Sequence, residues 1–239
     1  MNSYASYQLQ DFIPFSADVY FRLLERISET WWPLHLLSLA LGAAALVLAL
    51  KKRDRLVWLL IAPVWAFVAV VFFMQHYAQL NWAGRYVGYT FLAQAILLLL
   101  QVVAGFSRSK LPAAKMSAVA GSRPAVIVVR LGISIGLGIA LTGLFALPLM
   151  APLSGAGWWQ AQVFGIHADP TATTTLGLAL ILLRGWRLWL VAFMPMLWLL
   201  LSGLTLWVLQ ATEAWLVFPV LAAALVGIAV LCRYPGKKA

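Results

Sequence analysis

The chain carries three histidines, His35, His76 and His167, each beside an aromatic or acidic neighbour at one end of an apolar run. His35 follows Trp32-Pro33, His76 precedes Tyr77, and His167 stands two residues before Asp169. Neutral imidazole is the commonest transition-metal ligand, and a carboxylate can join it. The three histidines are therefore candidate metal or haem ligands, with His35 and His76 placed as an axial-type pair. No HxxxH, HExxH or CxxC spacing selects a metal. Ordinary hydrogen bonding at a membrane interface accounts for the same residues, because headgroup water satisfies an imidazole there. A polar group held at membrane depth is nonetheless a functional candidate by default.

The most distinctive stretch runs Phe164-Gly165-Ile166-His167-Ala168-Asp169-Pro170-Thr171-Ala172-Thr173-Thr174-Thr175. Asp169 is expected to cap a helix that has Pro170 at its first position. The threonines then enter an apolar run, where their hydroxyls can bond the preceding turn or serve a ligand. Together with Asn81 at the end of the second run, these residues define a candidate ligand site: His35, His76, Asn81, His167, Asp169, Thr171 and Thr173. No nucleophile–base pair, phosphate loop or carboxylate dyad is present, so no catalytic residue is assigned.

The elements that must position this site follow from composition. The chain has 239 residues, 64% hydrophobic and only 10% charged. Soluble domains hold about 45–50% apolar and about 25% charged residues. Lipid as solvent explains the excess, because a soluble fold of this size still needs a polar shell. Seven apolar runs are placed at about 32–50, 56–79, 87–106, 125–149, 171–184, 188–209 and 214–232. A span needs about 20 residues to cross about 30 Å of hydrocarbon. The fifth run is short, and a re-entrant or broken element is its alternative.

The net charge of +10 would point to nucleic acid in a soluble protein. Here the basic residues sit in alternate connectors, so no nucleic-acid partner is expected. Lys51, Lys52, Arg53, Arg55, Arg108, Lys110, Lys115, Arg123, Arg184, Arg187, Arg233, Lys237 and Lys238 are thirteen of the seventeen. The other connectors and the N-terminal tail hold Arg22, Arg26, Arg85 and six of the seven acids. The positive-inside rule then places the N-terminus outside and the C-terminus in the cytoplasm. Arg130 remains, near enough to a helix end to snorkel.

Residues 16–30 read as an amphipathic helix with Ser16 as N-cap and Val19, Tyr20, Leu23, Leu24 and Ile27 as its apolar stripe. Such a helix can lie in the membrane interface or cap the outer mouth of the bundle. Gly132-xxx-Gly136 permits close helix approach, either within the chain or across a homo-oligomer seam. Gln75, Gln79, Gln94 and Gln101 are expected to bridge helices. Cys232 is the one cysteine, so an intrachain disulfide is impossible. The last helix lacks a lysine, which removes a retinal Schiff base. The expected organisation is a tail and interfacial helix over 1–31, a helical bundle over 32–232 and a basic cytoplasmic tail over 233–239.

These motifs resemble those of the bacterial multi-pass membrane proteins grouped as DUF6064. The resemblance rests on Pro14-Phe15-Ser16, Trp32-Pro33, His76 in an aromatic helix end, Asn81, and Phe164-Gly165-Ile166 leading through Asp169-Pro170-Thr171 to Leu176-Gly177-Leu178. The family pattern has Cys-Pro-Thr where this chain has Asp169-Pro170-Thr171, so Asp169 stands in place of the cysteine. A thiol-based function is therefore not carried over. The resemblance implies architecture and names no activity or cofactor.

The expected protein is thus all-α, a polytopic bundle of about seven transmembrane helices in a bacterial inner membrane, N-out and C-in. Small-solute or ion binding, or a transport-like role, at an outward-facing polar site is the first functional expectation. A non-catalytic accessory subunit, holding a partner through Gly132 and Gly136, is the second. A membrane haem or metal protein is the third.

Overall fold

The computed structural model describes residues 13–106 and 123–233. The N-terminal tail with Asp11, the linker 107–122 with Arg108, Lys110 and Lys115, and the basic tail after Arg233 lie outside the described residues.

Helix α1 (Ala17–Thr30) starts at Ser16, whose extended backbone sits at φ −84°, ψ 165°. The Ser16 carbonyl accepts the Tyr20 amide at 3.1 Å, and its hydroxyl makes no cap bond. Tyr20, Leu24, Ile27 and Ser28 are buried, at helical spacing. The inward stripe is the expected one, except that Val19 is exposed and a serine joins it. Helix α2 (Leu34–Leu50) leaves α1 at an angle of 91°. Helix α1 therefore lies across the end of the bundle, against a short turn at Trp158–Gln160 and against part of α3.

Helix α3 (Asp54–Leu80) follows a tight turn in which Lys52 takes a positive φ and the Arg53 amide donates to Leu48 O at 2.9 Å. Its stretch Val68–Tyr77 is π-helical. Helix α4 covers Gly84–Phe106. Helix α5 runs Arg123–Leu141, widens into a π turn at Thr142–Ala146 and continues as Leu147–Leu153. Helices α6 (Ala168–Leu182), α7 (Trp186–Val208) and α8 (Ala214–Arg233) complete the order. Among the described residues, five helices are long and apolar enough to cross a membrane, or six if the bent α1–α2 pair is one span.

Helix α6 forms the axis of the bundle. Every residue from Ala161 to Ile181 is buried, so the helix is enclosed on all sides. Its start lies three residues before the position expected from the apolar run. With 15 residues it is about 22 Å long, short of the roughly 30 Å of a hydrocarbon core. Glycines set how closely α5 and α6 meet. A Cβ on Gly177 would lie 2.5 Å from both Gly136 O and Ala140 N, so the two backbones touch. Gly132 packs on Leu231 of α8. The Gly132–Gly136 pair is therefore occupied within the chain.

An aromatic layer fills the space beside α6. The ring of Phe73 lies 4.8 Å from Trp198 and 4.4 Å from Phe91, and Phe91 lies 4.4 Å from Trp65. Gln94 Nε2 donates to Val191 O at 3.0 Å and joins α4 to α7, the bridging role expected of it. Arg130 is exposed on the outer face of α5.

Candidate functional site

The segment before α6 is pinned by its own side chains. The Val163 amide donates to His167 Nδ1 at 3.0 Å, and the His167 amide donates back to Val163 O at 3.0 Å. Thr171 Oγ1 donates to His167 O at 2.7 Å and accepts the Gly165 amide at 2.9 Å. Gly165 has φ +81°, and a Cβ there would lie 2.8 Å from Ser38 Cβ, so both backbone and space require glycine. Thr171 thus works as a clamp on the loop. His167 occupies the N-cap position with extended backbone. The expected cap, Asp169, is instead the second residue of the helix, and its carboxylate is used elsewhere.

Because Nδ1 of His167 accepts a hydrogen bond, the ring hydrogen of the neutral form is assigned to Nε2. The His167 side chain is 0% exposed, and Nε2 reaches no partner with hydrogen-bond geometry. The Leu24 carbonyl of α1 is near enough to act on it. His35, in the first turn of α2, is 6% exposed and its ring lies 6.4 Å from that of His167. His35 Nδ1 also reaches no partner with hydrogen-bond geometry, although the Trp31 carbonyl is near enough to act on the ring, and the buried Oγ of Ser28 on α1 has none.

Ser28 and His35 form the polar edge of a groove of about 580 Å³. It is lined by the first turns of α2 and the last turns of α5, together with Trp158, Trp159 and Val163. Trp32 and Trp159 meet edge to face at 6.0 Å at its mouth. One imidazole, a hydroxyl and an apolar trough can hold a molecule with one hydrogen-bonding end, and His167 stands behind His35, outside the lining.

Asp169 is built differently. It is 2% exposed, and both oxygens are met: Trp198 Nε1 donates to Oδ1 and Ser202 Oγ donates to Oδ2, each at 2.7 Å. Trp198 and Ser202 are four apart on α7, so they present one face to the carboxylate. Glu213, 5% exposed, lies near enough to act electrostatically on Asp169. Trp198 also lines a second cleft, of about 360 Å³, with Tyr77, Asn81 and Thr205 among others.

The seven candidate residues therefore divide. His35 and His167 come together under α1. Asp169 joins α6 to α7. Asn81 borders the second cleft and accepts the Ala83 amide at 2.9 Å through Oδ1. Thr171 clamps the loop. The Thr173 hydroxyl is buried without a partner. His76 is half-buried, and its Nδ1 lies 2.7 Å from Val71 O on its own π-helical stretch. As metal candidates, His35 and His167 are neighbours and His76 is turned to its own helix. Among the described residues, no group of three or more His, Cys, Asp or Glu side chains is placed to hold a metal ion.

Three contributors were not singled out from the sequence. Trp198 and Ser202 carried a signal, a polar residue four after an indole on an otherwise apolar helix. Ser28 carried a weaker one, because it stands four residues after Leu24 on the apolar side of α1. Trp65 Nε1 also donates to Thr175 Oγ1 at 2.8 Å across 110 residues of sequence, a pairing that no local pattern announces.

The described residues form an all-helical protein with five helices, or six with the bent pair, long and apolar enough to cross a membrane. The chain belongs to DUF6064, a family of unknown function, whose family model matches residues 17–235. No curated protein and no solved structure matches it significantly.

Proposed function

We propose that this chain is a small-solute-binding protein of the bacterial inner membrane, with a transport-like or sensing role, whose outward-facing site is centred on His35 and His167. The observation that carries this reading is the pair of buried, unpartnered atoms, His35 Nδ1 and Ser28 Oγ, at the wall of the 580 Å³ groove. A buried donor or acceptor left unpaired costs about 1–3 kcal/mol. Two such atoms on residues that line one groove are a cost that a bound polar group would offset. Ligand pockets are of this size, mostly apolar, with a few convergent polar groups.

Seven passages, N-out and C-in, complete the proposal. What supports them is the charge pattern of the connectors and the antiparallel run of α5 against α6, where Gly136 meets Gly177 and Gly143 meets Thr174. In this reading the buried loop residues 161–167 add to the depth that α6 lacks. Irregular backbone is tolerated there because protein, not lipid, surrounds it. The α1 helix would lie at the outer interface as a cover over the histidines. Single cysteines at positions 52 and 82, introduced into Cys232→Ser, test the orientation: a membrane-impermeant thiol reagent should label Trp82→Cys from outside and Lys52→Cys only after permeabilisation.

The accessory-subunit reading has less support, since Gly132 and Gly136 are filled from within the chain. The metal reading has less as well, since His76 points to its own helix. A thermal-stability screen of the purified chain against solutes tests the proposal. A ligand at a hundred times its Kd should stabilise by about 2.7 kcal/mol, and His35→Ala should remove that gain. Ligand stabilisation unchanged by His35→Ala would count against the site.

A further inference from the structure

We infer that the ligand of the His35 groove is an uncharged, single-chain amphiphile with a hydroxyl head, entering sideways from the bilayer. This rests on the proposed membrane setting and on the site proposed above, and it names the substrate class. The groove has the polarity of such a molecule. Its long wall is Leu36 and Leu39 on α2 and Phe145 and Leu149 on α5. Leu36, Phe145 and Leu149 are exposed, so the trough opens on the outer surface of the bundle. In a membrane that surface faces acyl chains.

A chain alone would be an ordinary boundary lipid. The polar edge makes the difference. Ser28 and His35 line the trough, and Ser28 Oγ and His35 Nδ1 lie enclosed behind its surface with no partner of hydrogen-bond geometry, so that a side-chain rotation would turn them to a guest. A hydroxyl can donate to one and accept from the other, because serine and neutral imidazole each offer both roles. None of the lining residues is Lys, Arg, Asp or Glu, so a charged head would be desolvated without a counter-ion. The volume of about 580 Å³ equals roughly twenty water-sized groups, room for one chain. The depth is also right. Trp32 and Trp159 stand beside the head position, where indoles mark the water–lipid boundary. From His35 the α2 wall descends through Leu36 to Leu39 into the apolar zone.

The test uses the full chain in phosphatidylcholine nanodiscs and a hexadecanol probe bearing a mid-chain diazirine. Labelling should saturate, map to residues 36–39 and 145–149, and be displaced by monoolein but not by phosphatidylglycerol. His35→Phe and, separately, Ser28→Ala should each weaken the apparent Kd at least tenfold. Labelling that rises linearly with probe and is equal in both variants would mark boundary lipid only and overturn the inference. A His35-dependent stabilisation by glycerol, without saturable hexadecanol labelling, would overturn the amphiphile while leaving the polar site standing. If neither probe depends on His35 or Ser28, the amphiphile and the site fall together.

Discussion

Asp169 and His35 lie on either side of the loop that leads into α6, both are almost wholly buried, and their hydrogen bonding is opposite. Asp169 has a donor for each oxygen, from Trp198 and Ser202 on one helix face. His35 keeps an unpaired Nδ1, with Ser28 and His167 unpaired beside it. The first cluster joins the enclosed α6 to the buried face of α7. The second sits where α1 crosses the end at 91° and a groove opens to the surface. Burial is thus common to both, and satisfaction separates them. A satisfied buried polar group reads as a structural joint, whereas several unsatisfied ones at a cavity wall read as a site waiting for a partner.

The comparison can be broken at its structural half first. Asp169→Ala leaves Trp198 and Ser202 without acceptors, and should destabilise by about 3 kcal/mol, lowering Tm by about 6–12 °C in detergent melts. Asp169→Asn should recover most of this loss, because an amide still offers an acceptor and a donor. Gly177→Ala comes next. Its Cβ would press on the Gly136 carbonyl and the Ala140 amide, backbone that cannot turn aside, and about 2 kcal/mol should be lost. Thr175→Val removes the acceptor of Trp65 Nε1 at constant shape. Interhelical hydrogen bonds in membranes average about 0.6 kcal/mol, so a small loss, near 1 kcal/mol at most, should be seen. A reversal of this order would mean that close helix approach, and not the Asp169 joint, dominates the packing.

Much of the architecture was readable because lipid demands it. Apolar runs and basic connectors repeat along the chain, and helices follow from the need to satisfy every backbone group internally. The α1 stripe was readable from its period. The exact start of α6 was not, because Pro170 fits a helix at its third residue as well as at its first. Asp169 was recognised as unusual, but its partners lie about 30 residues away on α7, beyond any local pattern. The histidines were readable as one set by their place at the ends of runs. Only three-dimensional packing separated His35 and His167 from His76, whose π-helical stretch turns it back on Val71. Ser28 was hidden because serine on an apolar stripe looks like a neutral filler until its hydroxyl is found without a partner.

The most direct measurement is the ligand-free melting temperature of His35→Phe, taken beside Asp169→Ala. Replacing a ring nitrogen that has no partner of hydrogen-bond geometry by a ring of similar shape gives up at most a weak contact with the Trp31 carbonyl and relieves a buried polar atom. His35→Phe should therefore melt within about 2 °C of the parent, or above it, while losing ligand stabilisation. A fall in melting temperature as large as that of Asp169→Ala would show that His35 is a structural joint of the same kind, and would contradict the account.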